Sequence, residues 1–134
     1  MSTSSQGIPV GDYERASAWY ERLLGSEPSF VPNATEAVWE LAEHRWVFTE
    51  ERPQHAGHAM HTIFVDDLDA RFEAIADRGI EPAERKTYSN GVRKATYRDP
   101  DGNESISVGP RRLGRHGLRF DKKLSHISSH VLPY

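Results

Sequence analysis

Cysteine is absent from this sequence of 134 residues. Disulfide bonds, thiolate zinc sites and a cysteine nucleophile are therefore excluded. No apolar run approaches the roughly 20 residues that a membrane-spanning helix needs, and the polar segment 1–6 lacks the apolar core of a signal peptide. Glycine-rich phosphate loops and a Gly-x-Ser-x-Gly motif are also missing, so nucleotide binding and serine hydrolysis have no support. We expect a soluble, cytoplasmic protein built as one domain.

Charge is unevenly distributed along the chain. Residues 110–134 contain six Lys or Arg against one acid, Asp121, so this tail is +5 while the remainder is −8. A basic tail can attract nucleic acid or an anionic surface, but this one has no interleaved aromatic side chains and no helical or strand periodicity. We predict that it is disordered, or a cloning or read-through extension. Neither nucleic acid nor a membrane is expected as a partner.

Two segments, residues 12–24 and 67–78, have the apolar periodicity of amphipathic helices. Each begins with an aspartate that can cap a helix, and each is followed by a glycine that can end it. The tripeptides Val10-Gly11-Asp12 and Val65-Asp66-Asp67 align at an offset of 55 residues. This spacing indicates an internal repeat.

Short extended segments accompany both helices. In each half the sequence predicts one strand before the helix and three strands after it. The Asn-Gly turn at residues 89–91 predicts a hairpin, and the turn cluster at residues 99–103 precedes the last strand. The eight predicted strands cover residues 6–10, 29–31, 37–41, 46–49, 59–65, 84–88, 93–97 and 104–108.

Three segments in this order resemble the glyoxalase/bleomycin-resistance/dioxygenase superfamily, also called the vicinal oxygen chelate superfamily. They are DYERASAWYERLLG at residues 12–25, VDDLDA at residues 65–70 and DPDGN at residues 99–103. The resemblance spans roughly residues 5–109. It implies an α+β fold in which two βαβββ modules form a curved mixed sheet around a concave cavity.

The domain organisation follows from this resemblance. We expect a single domain over residues 1–109, with module one at about 5–52 and module two at about 58–109. The two sheets of such a domain expose edges that a second copy can cover, so a homodimer is a further expectation.

The resemblance also implies where a metal would bind. In metal-dependent members a His or Gln lies about seven residues before the aspartate that opens each helix, and a Glu lies three residues after the Asp-Pro-Asp-Gly-Asn turn. Ser5, Met60 and Ile106 stand at these positions. None of them is a ligand of the implied kind, so we expect no metal cofactor at the usual site.

Neighbouring residues provide an alternative metal site. His58 lies two residues before Met60, and Glu104 lies two residues before Ile106, so each keeps its strand face but is displaced by about 6–7 Å. With a third ligand they would support a divalent metal ion in a lyase, isomerase or dioxygenase. The histidines of segment 55–61 do not converge in an extended strand, so a histidine metal site is not predicted.

Strand residues with aromatic, apolar or complementary polar side chains are candidates for the cavity lining, because flat organic ligands stack on aromatic rings. The ten candidates are Trp39, Trp46, Phe48, Met60, Thr62, Phe64, Arg93, Tyr97, Glu104 and Ile106. For any single aromatic residue, a place in the core is the alternative. Arg93 and Glu104 could hold the charged groups of a ligand, pair with each other, or stay solvated.

These observations predict a protein that binds a small, partly aromatic organic molecule in a concave cavity, without a metal or other cofactor. The binding would sequester the molecule or serve another role, and whether a reaction follows is left open. The metal-dependent enzyme with a non-standard site is the alternative. A protein whose main role is assembly is the third hypothesis.

Overall fold

The computed structural model describes residues 4–110, so the predicted disordered tail lies, apart from Pro110, outside the described residues. All eight predicted strands and both predicted helices are present, with ends shifted by a residue or two. In chain order they are β1 (Ser4–Val10), α1 (Tyr13–Leu24), β2 (Phe30–Asn33), β3 (Glu36–Ala42), β4 (Arg45–Glu51), a short 3-10 helix (Pro53–His55), β5 (Met60–Phe64), α2 (Leu68–Asp77), β6 (Glu84–Thr87), β7 (Arg93–Arg98) and β8 (Glu104–Gly109).

The strands form two four-stranded sheets, one for each βαβββ module. Sheet A has the order β1-β4-β3-β2, and sheet B has the matching order β5-β8-β7-β6. The first and last strands of each module pair in parallel, and the other neighbours are antiparallel. The predicted α+β fold of two βαβββ modules is confirmed, and its strands are divided between two sheets.

Local sequence explains where the helices begin and end. The Asp12 carboxylate accepts a hydrogen bond from the Arg15 amide at 2.9 Å, and the Asp67 carboxylate accepts one from the Ala70 amide at 3.0 Å. Each bond satisfies an amide that would otherwise lack a partner in the first helical turn. Gly25 ends α1 with φ of +80°, a left-handed conformation that glycine adopts without a Cβ clash.

The core lies between the helices and the sheet surfaces that face them. Its largest cluster joins side chains of both modules, including Tyr20, Leu23 and Trp39 from the first module and Ile75 and Tyr97 from the second. Burial of these large apolar side chains is the main favourable term that holds the modules together. Within residues 4–110, neither helix is long and apolar enough to cross a membrane.

The Asp-Pro-Asp-Gly-Asn segment forms a junction between the modules as well as a turn. The side-chain oxygen of the buried Asn103 accepts hydrogen bonds from the amides of Gly57, at 3.0 Å, and Ala59, at 2.9 Å. Its side-chain nitrogen donates to the Pro9 carbonyl oxygen and to the Asp99 carboxylate, each at 2.8 Å. One amide side chain therefore ties β1 to the intermodule linker and to the turn before β8.

Asp99 extends this junction to the first helix. Its carboxylate accepts hydrogen bonds from the Tyr20 hydroxyl, at 2.8 Å, and from the amides of Asp101 and Asn103, each at 2.9 Å. Burial of the Tyr20 hydroxyl, reinforced by the neighbouring Asp99 carboxylate, raises the pKa of Tyr20 above its ordinary value. The tyrosine therefore stays protonated and acts as a hydrogen-bond donor that holds α1 against the second module.

Candidate functional site

Side-chain alternation gives each sheet a helix face, packed against the helices, and an open face on the other side. On sheet A, the open face carries a cavity of about 300 Å³. Its lining residues all belong to sheet A and are Ser5, Phe30, Pro32, Glu36, Val38, Trp46 and Phe48. Most of this lining is apolar, and Ser5 and Glu36 supply its polar groups, which is the usual composition of a site for a small organic ligand.

Aromatic rings form the centre of this cavity. The rings of Phe30 and Trp46 meet edge to face, with centroids 6.0 Å apart and planes at 76°. Phe30 is 50% exposed, and Trp46 and Phe48 are half-buried, so the described chain leaves these rings partly uncovered. The ring of Phe48 lies over Gly7, where a Cβ atom would come within 2.8 Å of the ring. A glycine on β1 thus makes room for the aromatic ring.

The open face of sheet B has a different character. Met60 pairs with Glu104 in register, and Thr62 with Ile106, so these four side chains share that face. Met60 is 57% exposed and Ile106 is buried. The Glu104 carboxylate accepts a hydrogen bond from Arg98 at 3.1 Å, so its charge is already paired.

The structure does not bring all ten predicted cavity residues together. Trp46 and Phe48 lie on the open face of sheet A, and Met60, Thr62, Phe64, Glu104 and Ile106 lie on the open face of sheet B. Trp39, Arg93 and Tyr97 point the other way, toward the helices.

Burial and pairing explain these three departures. Trp39 and Tyr97 are 1% and 0% exposed because they fill the core. Arg93 forms a two-point ion pair with Asp69 of α2, at 3.1 and 3.3 Å. Arg93 and Glu104 therefore lie on opposite faces of sheet B. One hypothesis from the sequence was that they pair with each other, and the structure contradicts it.

The residues at the family's metal positions do not fit a divalent cation. Ile106 has no donor atom, Met60 offers a soft thioether, and Ser5 offers one neutral hydroxyl, whereas such ions require convergent carboxylate or imidazole ligands. Nor do three or more His, Asp or Glu side chains converge as a metal site anywhere in the part of the chain that the structure describes. His58 lies outside β5 and is exposed, and Glu104 is engaged by Arg98.

A second cavity, of about 310 Å³, lies between the end of α1 and one side of α2, from Asp67 to Arg78. Three of its four charged lining residues, all except Asp66, already serve the fold. Arg78 donates hydrogen bonds to the carbonyl oxygens of Arg22 and Leu23, Asp67 caps α2, and Arg71 donates to the Ser107 hydroxyl at 2.7 Å. The cavity of sheet A, whose aromatic rings are only partly covered, is therefore the better candidate site.

Two buried polar side chains, His61 and Ser105, lie in contact on the helix face of sheet B. His61 is 6% exposed, and its ring nitrogen lies 2.9 Å from the Ser105 hydroxyl. Burial lowers the pKa of His61 to about 4, and the positive charge of Arg71 adds to the lowering. The imidazole is therefore neutral at pH 7 and belongs to the interior of module two, away from both open faces.

This histidine should make stability depend on pH. Its folded-state pKa of about 4 lies below the ordinary value of 6.5. The unfolded chain therefore binds more protons between these pH values, and stability falls as the pH drops from about 6.5 to 4. We expect His61→Gln to remove on the order of 2–3 kcal/mol of this acid-induced loss, measured by urea unfolding at several pH values. His58→Gln, at an exposed position, should leave the pH profile of the wild type, and identical profiles for all three proteins would contradict the prediction.

Several lining residues were not identified from the sequence. Phe30, Pro32, Glu36 and Val38 lie on β2 and β3, where they complete the cavity around Trp46. Side-chain alternation along β3 could have identified two of them. Glu36 and Val38 lie on one face of the strand, and Trp39 lies on the other. The partial exposure of Phe30 has no local sequence signal, because it depends on what packs over the strand.

Two βαβββ modules with matching strand order define a class of protein. The model of the Glyoxalase/Bleomycin resistance protein/Dioxygenase superfamily matches residues 4–105. The chain belongs to this superfamily. Comparison with curated proteins gave no match.

Solved structures give the same assignment. A glyoxalase/bleomycin resistance protein from Catenulispora acidiphila DSM 44928 is 51% identical, with 81% of this chain and 98% of that chain covered and a TM-score of 0.79. A bleomycin-binding protein complexed with bleomycin is 19% identical over 83% of this chain and 100% of that chain, with a TM-score of 0.67. Lactoylglutathione lyase from Agrobacterium tumefaciens is 15% identical over 81% and 92% of the two chains, with a TM-score of 0.66. The last two likenesses show the fold alone.

Proposed function

We propose that this protein binds a small, partly aromatic organic molecule on the open face of sheet A and thereby sequesters it, without a metal ion. The observation that carries the proposal is the cavity of about 300 Å³ around the half-buried rings of Trp46 and Phe48. Exposed aromatic surface in a concave site gains free energy when a flat ligand covers it.

The shape of the cavity suits a ring system. Phe30 and Trp46 meet edge to face and so form a corner, and the Phe48 ring lies beside them over Gly7. A planar molecule in this corner would contact one ring face and one ring edge. Ser5 and Glu36 lie in the same lining and can orient polar substituents of the ligand.

The relatives are consistent with a binding role. The superfamily's description includes bleomycin resistance proteins, and one protein with this fold was solved in complex with bleomycin. Binding by such a protein needs a complementary surface and no catalytic group, which agrees with the poor fit of Ser5, Met60 and Ile106 to a metal ion. The alternative is a metal-dependent enzyme that uses His58 and Glu104. Among residues 4–110, no group of three or more His, Asp or Glu side chains converges to hold its metal ion.

Truncation of one ring tests the proposed site. With the neutral fluorescent probe N-phenyl-1-naphthylamine, we expect saturable binding by the wild type and a 10–100-fold weaker affinity for Trp46→Ala, roughly the effect of losing one buried aromatic contact. The measurement is a fluorescence titration of the probe at fixed protein concentration.

Tyr88→Ala is the matched control. Tyr88 is also a partly exposed aromatic residue, 39% exposed, but it follows β6, away from the cavity. We expect this variant to bind the probe like the wild type. Equal losses in the two variants, or no binding by the wild type, would count against a ligand site on sheet A.

Self-association remains a prediction. Phe30, Val31 and Met60 are 50%, 51% and 57% exposed, and a second copy that covered them would remove apolar surface from water. Light scattering of the full chain gives the molar mass in solution directly. A mass of one chain at all concentrations tested would exclude a homodimer.

A further inference from the structure

The charged strand residues on the open face of sheet A are all acidic. Glu36 and Glu40 alternate with Val38 along β3, and Glu50 follows Trp46 and Phe48 in the same alternation along β4. Among the strand residues of this face, in the described part of the chain, there is no Lys or Arg. A ligand that enters the aromatic cavity therefore meets an acidic rim.

Two of these carboxylates oppose each other across the sheet. Glu36 and Glu50 are direct register partners on β3 and β4. Like charges in opposed positions destabilise a sheet. The Asn33 amide donates to Glu36 at 2.6 Å, and Arg52 lies 3.8 Å from Glu50. The Arg52–Glu50 pair is largely exposed, so it compensates the repulsion weakly.

We propose, on the basis of the function proposed above, that the ligand is a cationic aromatic compound. Its ring system would stack in the corner made by Phe30 and Trp46, and its ammonium group would lie against Glu36, which lines the same cavity. The negative faces of the rings add to the attraction of a cation. An anionic aromatic compound would meet the same rings and be repelled by Glu36 and Glu50.

A matched series of naphthalene compounds tests this preference. The three probes carry trimethylammonium-methyl, hydroxymethyl or carboxymethyl groups at the same ring position and are titrated calorimetrically into the full chain at pH 8 and low salt. We expect the cation to bind about 5–20-fold more tightly than the alcohol, and the carboxylate to bind most weakly. Added salt should reduce the preference, because it screens charges that are partly exposed.

Two variants with the same change in net charge locate the effect. Glu36→Gln removes the carboxylate in the cavity, whereas Glu43→Gln removes one on the β3–β4 turn whose side chain is 83% exposed. We expect Glu36→Gln to reduce the cation-over-alcohol ratio to about 1–3, and Glu43→Gln to retain the wild-type ratio. If both variants reduce the cation-over-alcohol ratio equally, the preference comes from the net charge of the protein, and the assignment to Glu36 is overturned.

The outcomes separate this inference from the proposed function. If all three naphthalene probes bind with similar affinity and Trp46→Ala weakens all of them, the binding site stands and the cationic preference is wrong. If none of the probes binds, the binding site itself is wrong. A higher affinity for the carboxylate than for the cation would also overturn the inference.

Discussion

Asn103→Ala is expected to lower the free energy of unfolding by about 3–5 kcal/mol. The substitution leaves the amides of Gly57 and Ala59 without their acceptor, and the Pro9 carbonyl oxygen without its donor. Each buried polar group that loses its partner costs about 1–3 kcal/mol. Urea unfolding followed by tryptophan fluorescence measures the difference, because Trp19 and Trp39 are buried in the core that both modules share.

Asn90→Ala is the control for the loss of an asparagine. The Asn90 side chain accepts a hydrogen bond from the Val92 amide at 3.0 Å in an exposed turn, so we expect a cost below about 1 kcal/mol. Asn103→Asp retains an acceptor for Gly57 and Ala59 but loses the donor and places a carboxylate beside Asp99. It should also be strongly destabilised. A cost for Asn103→Ala as small as that for Asn90→Ala would refute the junction's role.

Gly57→Ala is expected to cost at least about 3 kcal/mol. Gly57 has φ of +96°, and an added Cβ atom would lie 2.6 Å from the Asp101 carbonyl oxygen. The left-handed conformation alone costs a non-glycine residue roughly 1–2 kcal/mol. The clash is with backbone, which cannot rotate away, so the linker and the Asp99–Asn103 turn must move apart. The same urea unfolding experiment measures the effect.

Gly79→Ala separates the two contributions. Gly79 has a similar φ of +91°, but the nearest atom to an added Cβ is a side-chain nitrogen of Arg22 at 3.7 Å, an ordinary contact. We expect a cost of roughly 1–2 kcal/mol for this variant, from the backbone conformation alone. If both alanine variants lose the same stability, the close approach of Asp101 to Gly57 contributes nothing.

Features encoded by neighbouring residues could be predicted from the sequence. The helix starts follow from Asp12 and Asp67, whose side chains reach amides three residues ahead. The hairpin follows from Asn90-Gly91, because Gly91 adopts φ of +88° there. Each of these local structures depends only on residues close in sequence, so the packing of the rest of the chain does not change it.

Features that depend on distant partners could not be predicted in the same way. The sequence predicts that His61 takes no part in a metal site, but its burial beside Ser105, 44 residues away, has no local signal. The sequence predicts that Trp39 and Trp46 line one cavity. The register between β3 and β4 instead puts the two side chains on opposite faces of sheet A. Tyr97 lies on the same face of β7 as Ala95 and Arg93, and packing against the helices, rather than a pattern within the strand, makes it a core residue.

The Asn103 junction also has a consequence for biosynthesis. The bond from Asn103 to the Pro9 carbonyl oxygen spans 94 residues, so an early strand depends on a residue near the end of the domain. A chain made at about 5–20 residues per second exposes Pro9 roughly 5–20 s before Asn103 is added. During this interval the first module lacks its bonds to the second. The nascent chain therefore passes through a period in which the core side chains of module one, such as Tyr20 and Trp39, are available to other proteins, including chaperones, before module two covers them.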